Sequence, residues 1–261
     1  MREAWAIIYL VRPDTCFIAF LAIFVPLYCA HGSISYSLVR AIPIALILMA
    51  GFVINDVHDT EKDRENHPTR ALPSALMSPA FAISLYFSLV TVSLAIVRFY
   101  LDAPATFLYL ILLLGLINYN YVVAYAPTLK NIFAALVFTI PIVILTKYLH
   151  GIQAQLPVIA ALFATLLGRE MLMDVLDSKG DGKTFAKIIG SKRAVWLAFV
   201  LNLFSTCLLF LETKSVLGKS LAALLLFSDL ALALTWTLSK YRRLVIHLLK
   251  VHFVLGIYYL M

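Results

Sequence analysis

The sequence predicts an all-α integral membrane protein, with nine transmembrane helices in one bundle around a central cavity and the N-terminus in the cytoplasm. Three observations predict it. Of 261 residues, 62% are hydrophobic and only 13% charged, a balance that soluble domains do not show and membrane domains do. Apolar runs recur along the whole chain and are separated by short polar loops, as in a compact bundle. No polar segment is long enough for a separate soluble domain, so residues 1–261 read as one domain. The formal charge of +7 sits in the loops between apolar runs. That is the pattern of cytoplasmic membrane loops, not of a nucleic-acid binder.

In order, Arg12-Pro13 leads into the first span, Phe17–Cys29, with Trp5 to Leu10 extending it at the start. Its length, Pro26 and the lack of a small-residue cleavage site argue against a signal peptide. Ala41–Ile54 is the second span. Ser78-Pro79 reads as a cap followed by proline at the first helical position, opening a third span to Val97. Pro104 opens the fourth, to about Tyr121. The fifth covers Ile132–Leu145, with Pro141 inside it. The sixth begins near Pro157 and runs into an acidic stretch. Ala194–Leu211, Val216–Leu234 and Leu244–Leu260 are the seventh to ninth. Cys16, Cys29 and Cys207 show no metal or redox spacing and read as small packing residues.

Nine spans can be tested against the positive-inside rule. With the N-terminus inside, the inner segments hold 14 Lys and Arg and the outer ones 5. That orientation puts both acidic stretches of the chain at the cytoplasmic side.

The first acidic stretch is Asn55-Asp56-Val57-His58-Asp59-Thr60-Glu61-Lys62-Asp63, and the second holds Arg169-Glu170, Asp174, Asp177 and Asp181. Asn55, Asp59 and Asp63 recur every four residues; Asp174, Asp177 and Asp181 recur at three and four. On a helix each set lines one face. Length sharpens the point. Ala41–Ile54 gives about 21 Å of helix and Leu156–Gly168 about 20 Å, against a hydrocarbon core of about 30 Å. Each helix must therefore continue into its acidic end, or tilt and thin the bilayer. A short apolar run ending in an acidic edge and then a basic loop occurs twice, four spans apart. This suggests two weakly similar halves, about 1–125 and 126–261.

Two carboxylate edges in an apolar setting repel unless a cation joins them. Oxygen ligands without paired His or Cys favour a hard ion, Mg²⁺ first. Mg²⁺ is usually shared between carboxylates and substrate phosphate, so a diphosphate with a lipid tail is the expected partner. Arg64, Arg70, Lys130, Lys179 and Lys183 supply counter-charges; in a plainer reading Arg64, Arg70 and Lys130 are only positive-inside anchors. Breaking the C–O bond would leave an allylic cation. Phe52, Tyr119, Tyr121 and Tyr125 could face it. His58 reads as a helix-surface residue, and Arg169 with Glu170 as an internal pair or part of the site.

Asn55-Asp56-x-x-Asp59-x-x-x-Asp63, followed by Asn66-x-Pro68-x-Arg70, resembles the first signature of the UbiA family of intramembrane prenyltransferases. Arg169-Glu170-x-x-x-Asp174-x-x-Asp177-x-x-Gly180-Asp181 resembles the second. Arg12-Pro13 and Tyr125-x-x-x-Leu129-Lys130 are further family-like features. The resemblance covers nearly the whole chain. It implies a bundle open laterally to lipid, two Mg²⁺ ions bound with diphosphate, and prenyl transfer from a polyprenyl diphosphate to a hydrophobic or aromatic acceptor. It implies Asp59, Asp63, Asp177 and Asp181 as catalytic residues, joined by Asn55, Asp56 and Asp174 in holding metal. Asn55, Arg64, Arg70, Tyr125, Lys130, Lys179 and Lys183 would bind substrate. Arg-Glu-x-x-x-Asp-x-x-Asp-x-x-Gly-Asp and Lys183-Thr184-Phe185 resemble the branch that makes archaeal ether lipids and chlorophyll. Ala71 stands where the family often has proline, and Ala75 where it often has glycine. A bacterial or archaeal cell membrane is the expected location. A membrane terpene cyclase of the same fold and an ion-coupled transporter are the alternatives.

Overall fold

The computed structural model describes residues 2–66, 68–149, 155–176 and 184–257. Among them there are helices and turns and no strand. The chain divides into two compact units, Met1–Asn120 and Tyr121–Met261.

In the first unit the helices are α1 (Arg2–Val11), α2 (Pro13–His31), α3 (Ile34–His58), α4 (Thr60–Asn66), α5 (Pro79–Tyr100) and most of α6 (Ala103–Tyr125). The expected extension of the first span by Trp5–Leu10 is not one helix with it. Arg12 adopts a left-handed conformation, φ 48° and ψ 60°, and α2 restarts at Pro13. Proline lacks an N–H and disfavours the α region in the residue before it, so a break is natural there. Gly32 closes α2 at φ 65°, its N–H bonding Tyr28 O at 2.8 Å. Ser33 then caps α3 by accepting from Tyr36 N, and Ser78 with Pro79 opens α5 as expected.

α3 has 25 residues, about 37 Å. It gains length at both ends of the apolar run, and its acidic end is helical as far as His58. A small apolar core anchors that end: Leu10, Val53, Leu72, Met77 and Tyr86 are buried together. Three residues of this core, Ala71, Leu72 and Met77, come from the loop after Arg70. That loop contains Ala75 at φ 56°, the position where glycine would be at ease. A β-carbon in the left-handed region costs roughly 1–2 kcal/mol, offset in part by the greater backbone entropy of glycine. Ala75→Gly should therefore raise unfolding stability by about 0.5–1 kcal/mol, read as a small rise in Tm in detergent.

In the second unit follow α7 (Lys130–Leu149), α8 (Leu156–Leu176), α9 (Phe185–Ile189), α10 (Ser191–Glu212), α11 (Val216–Trp236) and α12 (Arg242–Ile257). α8 has 21 residues, about 31 Å, and reaches that length by carrying Arg169, Glu170 and Asp174 in its last turns. Its packing on α10 is close because Gly168 has no side chain. A β-carbon there would lie 2.7 Å from the Ala198 carbonyl oxygen and 2.6 Å from Asn202 Nδ2. Small residues that let helix backbones approach are the usual device of membrane packing. Gly168→Ala must push α8 and α10 apart, at about 1–3 kcal/mol. The expected readout is a lower Tm together with reduced activity, since Arg169 is the next residue.

Eight described helices are long and apolar enough to cross a membrane. The ninth expected span falls on α12, of which 16 residues are described.

Candidate active site

In the first unit the acidic edge is not one continuous helix. α3 ends at His58, Asp59 takes φ −83° and ψ 0°, and α4 begins at Thr60. The cause is local. The Thr60 hydroxyl donates back to the carbonyls of Asp56 (2.9 Å) and Val57 (3.0 Å), a bond that competes with the helical ladder and bends helices. The backbone bonds Asp59 N to Asn55 O and Asp63 N to Asp59 O persist, at 2.9 and 2.8 Å. So the four-residue spacing survives the break.

Each carboxylate has a definite partner. Asn55 Nδ2 donates to Asp59 Oδ2 at 3.0 Å. The other end of that amide, Oδ1, is buried and accepts no hydrogen bond from the described residues. An unsatisfied buried acceptor costs about 1–3 kcal/mol. Asp56 accepts from Arg12 at 2.7 Å. The Arg12 guanidinium also lies 4.8 Å over the Phe52 ring, so that face of Phe52 is already in use. The strained conformation at Arg12 delivers this contact across 44 residues of sequence. Asp63 is buried and its Oδ2 accepts from Arg70 at 2.6 Å. Arg64 is exposed and pairs with Glu61, one turn away. That pair belongs to the solvated face, where it is worth about 0–1 kcal/mol. His58 is exposed, as expected.

In the second unit the described part of the acidic edge is Asp174. It is buried, with both oxygens occupied: Lys130 Nζ donates to Oδ1 at 2.8 Å and Asn131 Nδ2 to Oδ2 at 3.3 Å. Arg169 and Glu170 form an ion pair. Tyr125, at the end of α6, is 83% exposed and stacks on Tyr121. Asp177, Lys179, Asp181 and Lys183 lie outside the described residues. Among the described residues, no three His, Cys, Asp or Glu side chains are placed to hold a metal ion.

Three features go beyond what spacing in the sequence predicts. Asn131, beside Lys130, is not among the site residues that the sequence predicts. The pairing of Asp56 with Arg12 had no local signal. Asp229, buried within α11, accepts from the Thr206 hydroxyl of α10 at 2.7 Å and lies away from the two acidic stretches. A carboxyl group inside an apolar sequence was the available clue.

Chemically, the first edge offers hard oxygen donors, the Asn55 amide oxygen and the Asp59 carboxylate, one helical turn apart. Such donors suit Mg²⁺ rather than a soft metal. The fold and these residues define an all-helical membrane protein with carboxylates and basic side chains gathered at helix ends. The chain belongs to the UbiA prenyltransferase family, whose sequence model matches residues 7–246. It is thus an intramembrane prenyltransferase. It is 31% identical over 209 residues to the digeranylgeranylglyceryl phosphate synthase of Methanoregula boonei, covering 75% of this chain and 72% of that protein. It is 29% identical over 212 residues to the enzyme of that name from Methanosphaera stadtmanae, covering 77% and 75%. The fold also matches a UbiA homologue from Archaeoglobus fulgidus solved with DMAPP and Mg²⁺, at a TM-score of 0.73 and 15% identity, over 97% of this chain and 98% of that one.

Proposed function

We propose that the chain transfers a geranylgeranyl group from its diphosphate to a hydroxyl of a glyceryl phosphate lipid, releasing diphosphate. The observation that carries this reading is the buried Asn55 Oδ1, without a donor among the described residues, beside Asp59 at the polar end of a membrane helix. Similarity to archaeal enzymes named for digeranylgeranylglyceryl phosphate supplies the acceptor class and favours a lipid acceptor over an aromatic one.

In this reading Asn55, Asp59, Asp63, Asp177 and Asp181 hold Mg²⁺, taken as two ions. When bound, Mg²⁺ supplies positive charge to the departing diphosphate. Asp63 serves with its remaining oxygen, since Oδ2 is on Arg70. Asp56 and Asp174 act as anchors that hold Arg12 and Lys130 in place. Arg70, Lys130, Lys179 and Lys183 neutralise diphosphate oxygens, and Arg64 only adds to the field of the basic loops. The bond between C1 of the prenyl chain and the diphosphate oxygen breaks, and its electron pair leaves with diphosphate. The allylic cation that remains is met by aromatic faces, with Tyr125 the candidate. The acceptor hydroxyl oxygen then bonds to C1 and loses its proton. The whole chain works as one domain of two related halves, in an archaeal cell membrane, with the acid-bearing helix ends on the cytoplasmic side. Charge asymmetry of the loops supports that orientation.

The test is product identification by mass after incubation with labelled prenyl diphosphates, with and without a panel of lipid and aromatic acceptors. The expected product is the glyceryl phosphate lipid carrying one additional geranylgeranyl group. Cyclic hydrocarbons or alcohols formed without acceptor would overturn the reading in favour of a cyclase.

A further inference from the structure

We propose that Asn131 is a positioning residue for diphosphate binding, acting through Asp174 on Lys130; the proposal deepens the prenyl-transfer reading and rests on it. Lys130 and Asn131 are consecutive residues in the first turn of α7. They grip opposite oxygens of one carboxylate, Asp174, near the end of α8. The Asp174 side chain is 0% exposed and that of Lys130 13%. A carboxylate held at one oxygen can swing about its last bond, and the ammonium paired with it swings too. The Asn131 amide removes that freedom. With both oxygens engaged, the orientation of Asp174 is fixed, and with it the side on which it holds the Lys130 ammonium.

The chemistry of Asn131 argues that it is more than filler. Its residue is 3% exposed. Its Oδ1 is buried and accepts no hydrogen bond from the described residues. A leucine of similar volume would remove that orphan but leave Asp174 Oδ2 without its donor, so the amide serves the carboxylate and not packing. A neutral donor is also the one kind of side chain that satisfies the second Asp174 oxygen without changing the charge. A lysine or arginine there would compete with Lys130 for the carboxylate. A carboxylate there would repel it.

The expected signature is in binding and not in the chemical step. Losing a hydrogen bond to a charged group corresponds to about a tenfold effect. Asn131→Leu should therefore raise KM for geranylgeranyl diphosphate about tenfold, with kcat unchanged within about twofold. Exchanging the partners by combining Asn131→Asp with Asp174→Asn keeps one carboxylate, one amide and one ammonium. That double variant should recover most of the lost affinity, while each single change should not. A second measurement is independent of turnover: with Mg²⁺, inorganic pyrophosphate should raise the Tm of the wild type clearly more than that of Asn131→Leu. If Asn131→Leu fails to fold, Asn131→Ser, too short to reach Asp174, takes its place. Unchanged KM and an unchanged pyrophosphate shift in a folded variant would overturn the proposal, as would an exchange variant no better than the single ones. Should the wild type transfer no prenyl group yet show an Asn131-dependent pyrophosphate shift, the prenyl-transfer reading falls and the positioning role stands.

Discussion

Asp59→Ala is expected to lower diphosphate release from geranylgeranyl diphosphate by about 10²–10³-fold, the usual effect of removing a group that acts on the developing charge. Two features make Asp59 the most sensitive position in the first unit. It stands at the break between α3 and α4, where its backbone is tied at both sides, N–H to Asn55 and carbonyl to Asp63. Its side chain takes the Asn55 amide nitrogen, which leaves the Asn55 oxygen buried and without a donor among the described residues. Alanine removes the carboxylate and also frees the asparagine to rotate. Asp59 is only half buried, and the backbone bonds do not depend on its side chain, so the cost in stability should be small. The check is diphosphate release beside thermal unfolding. A loss of activity that merely follows a loss of folded protein would contradict the assignment.

The second large effect is on stability. Lys130→Met should destabilise the protein by about 3–5 kcal/mol, the cost of leaving one member of a buried ion pair without the other. The Asp174 carboxylate has nowhere to go: it is fully buried, and Asn131 satisfies only one of its oxygens. Arg64→Met, at the exposed pair with Glu61, gives the contrast, with a change of about 0–1 kcal/mol. Denaturation in mixed micelles would measure both. Equal effects at the two sites would mean that burial does not govern these pairs. The Lys130 variant should also lose affinity for diphosphate, which Arg64→Met should barely change.

Much of this was legible in the sequence because it depends on local spacing. The apolar runs of residues 41–54 and 156–168 are too short to cross a bilayer, and α3 and α8 do continue into the acidic residues that follow. Ser78-Pro79 opens a helix as its residue types dictate. Asn55 and Asp59, one turn apart, are joined as their spacing requires. What spacing does not carry is the choice of distant partner. Arg12 with Asp56, and Lys130 with Asp174, are each 44 residues apart; nothing local distinguishes these basic residues from loop anchors such as Arg64. The break at Asp59 was hidden by a regular repeat, because a single threonine hydroxyl redirects two carbonyls without altering the pattern of carboxylates. Asp229 carries no such signal for a similar reason: one acid inside an apolar run has no periodicity, and its partner Thr206 lies on another helix.

The central claim is that carboxylates at these helix ends bind a prenyl diphosphate by way of Mg²⁺. It is tested most directly by stripping the detergent-purified protein of divalent ions and following diphosphate release from labelled geranylgeranyl diphosphate as Mg²⁺ is restored. Release is expected to be absent without the ion, to return with it in the wild type, and to stay low in Asn55→Leu at the same Mg²⁺ concentration. Release that proceeds without divalent ions, or that returns equally in Asn55→Leu, would contradict the claim.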